Sequence, residues 1–266
     1  VSGGAKRDLF DLAGKVVLVT GGNSGLGLGF AEGCAMRGAD VVIWGRRADR
    51  NEAAAAHLRA LGAGRVIADA VDVSSEAAVV AGMERAANEA GRIDCVFANA
   101  GGVSRAASFP DMTSEMYHGL LATSLHGVFY TLREATRHMR ARAQAGDPGG
   151  SIVICGSLTV FTGLQGMEHY GAAKGAAASM MKGIAVEMGP HGVRANMVAF
   201  GLFHTAMTSS PQTEAIEAQT AARTPLRRVG TLADVHGIAA YLASDASAFH
   251  TGDILVLDGG RMVLSP

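Results

Sequence analysis

Residues 15–27 read Lys15-Val16-Val17-Leu18-Val19-Thr20-Gly21-Gly22-Asn23-Ser24-Gly25-Leu26-Gly27, a short apolar run that breaks into a glycine-rich turn. The small and apolar residues that follow, through Met36, read as a helix. Strand, turn and helix in that order open a βαβ unit. In such a turn the glycines permit tight backbone angles and close approach, while the free N–H groups and dipole of the helix N-terminus attract a pyrophosphate. The spacing Gly21-x3-Gly25-x-Gly27 differs from G-x-G-x-x-G, and an ordinary glycine-rich βα loop is the alternative reading at this point. Gly21, Asn23, Ser24, Gly25, Leu26 and Gly27 are the first candidate contacts for a dinucleotide.

Outward from this unit, further β-branched runs stand at residues 41–44, 65–69, 93–98, 151–155, 194–199 and 254–257, in alternation with Ala-rich stretches long enough for helices. Several are continuously apolar, so they should be buried on both faces, as parallel strands are. The expected fold is α/β: a Rossmann-type, doubly wound parallel sheet of seven strands with helices on both faces. One domain is expected over residues 1–266, with 1–7 an arm ahead of the fold and 201–224 a flap over the site, its pattern weakest from 209 to 224.

Composition narrows the function. The 266 residues are 48% hydrophobic with a formal net charge of −1, so a chain of this size buries enough surface to need neither metal nor disulfide staples. Lys+Arg 23 against Asp+Glu 24 leaves no surplus charge for a phosphate polymer, which argues against a nucleic-acid partner. No apolar run reaches the roughly 18 residues of a membrane helix, and the first residues lack a signal-peptide core. Cys34, Cys95 and Cys155 stand in apolar stretches without metal-ligand spacing, and no histidines pair with acids at zinc spacing. A cytoplasmic protein without a metal is expected.

An acid at the end of the second strand would bind the ribose hydroxyls of NAD. The chain has none there; it reads Ile43-Trp44-Gly45-Arg46-Arg47. A guanidinium at that point can fork onto the 2′-phosphate of NADP, so NADP is expected over NAD, although two arginines also suit a solvated helix start. Asp72 and Val73 follow the third strand, where a carboxylate can accept from the adenine amino group or cap the next helix.

Tyr170 and Lys174 lie four apart in a helical stretch and share a face. A phenol is a poor base near neutrality, and a neighbouring ammonium favours its ionised form. Ser157 closes the fifth strand beside Gly156, where its hydroxyl can hold the reacting oxygen of a carbonyl or alcohol.

Together these features resemble the short-chain dehydrogenase/reductase family in its classical form, from about Leu12 to Gly260, and within it members like the 3-oxoacyl carrier-protein reductases. The resemblance implies that Gly21, Gly25 and Gly27 form the cofactor turn, Asp72 and Val73 the adenine contact, and Asn99, Ala100 and Gly101 the element after strand four. It casts Ser157, Tyr170 and Lys174 as the catalytic serine, tyrosine and lysine, and adds Gly201, Phe203 and Thr205 to the cofactor site. The implied activity is hydride transfer between nicotinamide and a ketone or secondary alcohol. Alternatives are a 3-oxoacyl-thioester reductase, a catalytically silent NAD(P)-binding regulator, and an epimerase or dehydratase using bound NADP. The resemblance also implies a homotetramer, with helices over 117–142 and 168–188 packed against their copies.

Two positions depart from the family. Ser124 stands where members carry a catalytic asparagine that holds a water in the proton path, so a weakened but working relay is expected. Phe200 replaces a proline before Gly201; its ring either shapes the nicotinamide pocket or packs beneath the flap. The substrate side should be lined by Val103, Ser104, Leu158, Phe161, Gln165, Met167, Leu202, Phe203 and Met207, with no Arg or Lys to clamp an anion. A hydrophobic, uncharged small molecule is the expected substrate. His169 and His204 fall near this rim, either touching substrate or exposed to solvent.

Overall fold

The computed structural model describes residues 8–205 and 211–264. The expected arm at 1–7, Met207 and part of the expected flap therefore lie outside the described residues. The strands are β1 (Val16–Thr20), β2 (Asp40–Gly45), β3 (Val66–Ala70), β4 (Cys95–Ala98), β5 (Gly150–Ser157), β6 (Val193–Phe200) and β7 (Ile254–Leu257). The helices are α1 (Gly25–Ala35), α2 (Ala48–Ala60), α3 (Glu76–Ala90), α4 (Ser114–Leu121), α5 (Gly127–Gln144), α6 (Glu168–Met188), α7 (Pro211–Ala222) and α8 (Ala233–Ala243). The helix expected over 117–142 is interrupted by a π-helical turn at Ala122–His126.

All strand pairings are parallel, in the order β3-β2-β1-β4-β5-β6-β7, so the expected seven-stranded Rossmann-type sheet is present. Every residue of β1 is buried, and alternation along the strand sends Val16 and Leu18 to one face and Val17 and Val19 to the other. The first face packs on α3, α5 and α6 through Met83, Leu132, Met139 and Met181. The second packs on α1, α2 and α8 through Phe30, Leu58, Val235 and Leu242. Successive strands are laid outward in opposite directions from β1 and β4, which opens a crevice at their carboxyl ends.

Phe200 belongs to the second core. It is 4% exposed, its ring edge-on to Phe30 at 5.7 Å and to Phe203 at 5.1 Å, while Phe30 stacks on Phe97 at 4.5 Å. Of the two readings of this residue, the structure supports packing: an aromatic at the end of β6 fills space between sheet and α1.

Helix α1 is drawn against α8 by glycines. A Cβ on Gly33 would stand 2.6 Å from the His236 carbonyl oxygen and 2.7 Å from its Cα, distances that only displacement of backbone could relieve. Between the same helices lies buried Glu32, its two carboxylate oxygens each 2.8 Å from a histidine Nε2, His57 of α2 and His236 of α8. Gly33→Ala is therefore expected to lower folding stability by about 1–3 kcal/mol through overpacking, seen as a lower urea midpoint at unchanged m.

Candidate active site

The crevice above β1 and β4 is a cleft of about 570 Å³. Its floor is the glycine turn. Gly21 (φ 66°) donates its N–H to the Trp44 carbonyl at 2.7 Å, and Gly25 (φ 53°) starts α1; both have left-handed backbone that disfavours a side chain. Gly27 answers to a different constraint, because a Cβ there would run into the Gly21 carbonyl and the Asn99 amide. Across the gap, Thr205 places a methyl 3.8 Å from where a Cβ on Gly25 would project.

The turn is sewn to the loop after β4 by Thr20. Its buried hydroxyl accepts the N–H groups of Asn99 (3.0 Å) and Ala100 (2.9 Å), and Asn99 Nδ2 donates back to the Thr20 carbonyl at 3.0 Å. Asn99, Ala100 and Gly101 thereby line the cleft opposite Gly21, Asn23, Ser24, Gly25 and Leu26.

At one end of the cleft stand Arg46, Arg47, Asp72 and Val73, together with Trp44, Gly45 and Arg50. The sequence pattern does not single out the last three as site residues; Arg50 follows Arg46 and Arg47 at helical spacing, the signal that points to it. Burial works to raise the Asp72 carboxyl, but the Ser74 N–H and hydroxyl with the Arg46 guanidinium prevail and hold it below the ordinary carboxylate range.

At the other end, Tyr170 and Lys174 line the cleft from the first turns of α6, with Thr123 and Cys155 beside them. Lys174 is 4% exposed, and its Nζ donates to the Cys155 carbonyl at 2.7 Å and lies 5.6 Å from the centre of the Tyr170 ring. Burial pushes the Cys155 thiol up, with Lys174 opposing. Ser157 ends β5 and accepts the Thr159 N–H at 3.2 Å, which leaves its own proton free to donate. Ser124 sits fully buried in the π-helical turn, its hydroxyl accepting the Gly102 N–H at 3.2 Å. A Cβ added to Gly101 would meet both Ser124 Oγ, at 3.3 Å, and Lys174 Nζ, at 3.8 Å, so the serine flanks the same loop as the lysine.

Several expected positions fall elsewhere. Gly27 lies beneath the cleft, and Ser157 and Gly201 are not among its lining residues. Phe203 turns its ring away from the cleft: it is buried against Phe200 and Gly230, and with Leu202 it lines a separate cavity of about 70 Å³. His169 neither faces solvent nor reaches the cleft lining; it is 1% exposed, with Nε2 2.7 Å from the Ser104 hydroxyl. His204 is exposed and meets Glu217 of α7 at 3.0 Å. The substrate-side wall is closed by the Ala106 N–H donating to the Gly166 carbonyl at 2.9 Å, and it exposes Val103, Phe161 and Leu164. The wall also carries an exposed cation that the sequence reading left out, Arg105, whose guanidinium reaches the Met167 sulfur at 3.8 Å. Among the described residues no three His, Cys, Asp or Glu side chains converge as metal ligands, and no helix is long and apolar enough to cross a membrane.

Comparison with known proteins agrees with this geometry. The family model described as enoyl-(acyl carrier protein) reductase matches residues 21–261. A gluconate 5-dehydrogenase of Gluconobacter oxydans is 35% identical over 96% of this chain and 98% of its own length. A 3-oxoacyl-(acyl-carrier-protein) reductase of Chlamydia pneumoniae is also 35% identical, over 94% and 97%. Among solved structures, a short-chain type dehydrogenase/reductase from Mycobacterium marinum superposes with a TM-score of 0.89 at 32% identity, covering 97% of this chain and 99% of that one. A gluconate 5-dehydrogenase from Burkholderia cenocepacia, solved with NADP and tartrate, gives 0.87 at 32% identity, covering 97% and 99%. The chain belongs to the short-chain dehydrogenase/reductase family, and is thereby an NAD(P)-dependent oxidoreductase of CH–OH and C=O groups.

Thr20→Val keeps the shape of the seam but leaves two N–H groups without their acceptor. A loss of about 2–4 kcal/mol in folding stability is expected, with weakened nucleotide binding, measured by urea unfolding and by titration with NADPH.

Proposed function

We propose that this chain is an NADP-preferring oxidoreductase in which Tyr170 moves the proton, Lys174 and Ser157 assist it, and the substrate is a ketone or secondary alcohol, hydrophobic and uncharged. The observation that carries the reading is that Tyr170 and Lys174 line the same cleft as the glycine turn. The residues fit a dinucleotide phosphate. The turn offers backbone N–H groups at a helix N-terminus with no Cβ in the way, and three exposed guanidiniums, Arg46, Arg47 and Arg50, stand where a 2′-phosphate would arrive.

A bound nicotinamide supplies the hydride in reduction and takes it in oxidation. In reduction Tyr170 donates its phenolic proton to the carbonyl oxygen, and in oxidation it takes the proton back from the alcohol. Lys174 spends one N–H on the Cys155 carbonyl and keeps two, for the phenolate and for the cofactor's ribose. Ser157, already accepting from Thr159, turns its own O–H toward the substrate oxygen and stabilises the charge that develops there. Ser124 stands in place of the family asparagine and flanks the Gly101 loop as Lys174 does; its shorter side chain calls for an additional water to complete the proton path.

Exposed Val103, Phe161 and Leu164 support an apolar substrate. The reductase of acyl thioesters is kept as the second reading, because Arg105 adds a cation at the same mouth that a phosphate-bearing carrier arm could meet. For assembly, the faces of α4, α5 and α6 expose Tyr117, Phe129 and Val186, apolar surface that a homotetramer would cover. Three free, buried cysteines fit a reducing cytoplasm.

Steady-state kinetics with both nicotinamides and a panel of cyclic ketones, acetoacetyl thioesters and sugar acids tests the reading. NADPH is expected to exceed NADH by at least about tenfold in kcat/KM, and Tyr170→Phe to lower kcat by about 10²–10⁴-fold while NADPH binding stays unchanged. Equal use of NADH, or an active Tyr170→Phe, overturns the corresponding part.

A further inference from the structure

We propose that Asn51, which is buried behind the cleft and does not line it, is a positioning residue that sets how strongly the chain distinguishes NADP from NAD. This inference rests on the cofactor reading above. Asn51 lies in the first turns of α2 and is 2% exposed. Its amide hydrogens go to two different strand ends, the Gly45 carbonyl of β2 at 3.0 Å and the Asp69 carbonyl of β3 at 2.9 Å. Its oxygen accepts the Asn23 side-chain N–H at 2.6 Å, and the Asn23 oxygen accepts the Ser24 hydroxyl at 3.3 Å. One side chain thus joins the ends of β2 and β3, the start of α2 and the glycine turn. The residue type at Gly45 follows from the same contact, since a Cβ there would strike Asn23 Nδ2 and Asn51 Oδ1.

The consequence for the cofactor is geometric. Arg46 and Arg47 lead directly into α2 and Arg50 immediately precedes Asn51, while Asn23 and Ser24 belong to the turn that receives a pyrophosphate. The two anion subsites are therefore referenced to one amide. A ligand carrying a pyrophosphate and a 2′-phosphate gains from both subsites only if their separation matches the span of its own adenosine. A ligand with the pyrophosphate alone makes no such demand. Releasing the amide should thus penalise NADP more than NAD, even though Asn51 touches neither.

The test is calorimetric titration of the purified full chain with NADP and with NAD, for the wild type, Asn51→Leu and Asn51→Ser. The ratio of the two dissociation constants is the readout, with thermal unfolding followed alongside. Asn51→Leu is expected to reduce the preference for NADP about tenfold, the scale of a lost buried hydrogen bond, and Asn51→Ser by less because its hydroxyl recovers one bond. Where the leucine variant does not fold, the serine variant reads the same ratio. A fall in melting temperature with both affinities reduced by one common factor, or with neither reduced, makes Asn51 merely structural and overturns the inference while leaving the NADP reading intact. A wild type that binds NAD as tightly as NADP overturns that reading, and this inference with it.

Discussion

The site depends on the contact between the glycine turn and the loop after β4. The Thr20 hydroxyl holds two backbone N–H groups of that loop, and Gly27 lacks the Cβ that would push turn and loop apart. Backbone groups near the sheet's end must find partners inside the protein, and here one hydroxyl accepts two of them. Without the seam, β1 and β4 would still pair, but the crevice between their ends would have no defined wall. Everything the cleft binds is positioned from this point.

Around the cleft the seam has two counterparts in which a single polar side chain ties distant segments together. Lys174 fastens α6 to β5 through the Cys155 carbonyl, two residues before Ser157, so the helix carrying Tyr170 and the strand carrying Ser157 are held in one frame. Asn51 does the same for β2, β3 and the turn. In each case a buried polar group is hydrogen-bonded to backbone far along the chain, the condition under which a buried polar residue specifies geometry instead of destabilising the core. Removing any of them would cost little apolar contact but would free a segment that presents chemistry to the cleft.

Much of this was legible in the sequence because local pattern and tertiary role coincide. An apolar run followed by glycines at close spacing can hardly be other than β1, the turn and α1, and Tyr170 with Lys174 announces itself by helical spacing. The seven strands are legible with ends that differ by at most two residues, since pairing partners, not composition, decide where a strand stops. What stayed hidden depends on partners far along the chain. Asn51 looks like any polar residue in a helix until Asn23 and Asp69 are brought to it, and His169 looks exposed until Ser104, 65 positions earlier, is folded against it. Phe200 stands where the sequence leaves two readings open and only the fold decides between them: its ring joins Phe203, Phe30 and Phe97 in one cluster, as bulky aromatics do when a core face is within reach.

In the proposed mechanism one cleft holds a phosphorylated dinucleotide against the Tyr170 hydroxyl. The most direct measurement is a crystal structure of the chain with bound NADP. The pyrophosphate is expected on the N–H groups of the Gly21 to Leu26 turn, the 2′-phosphate among Arg46, Arg47 and Arg50, and the nicotinamide ring beside the Tyr170 oxygen with its ribose on Lys174. A dinucleotide bound outside this cleft, or a Tyr170 hydroxyl turned away from the nicotinamide, would contradict it.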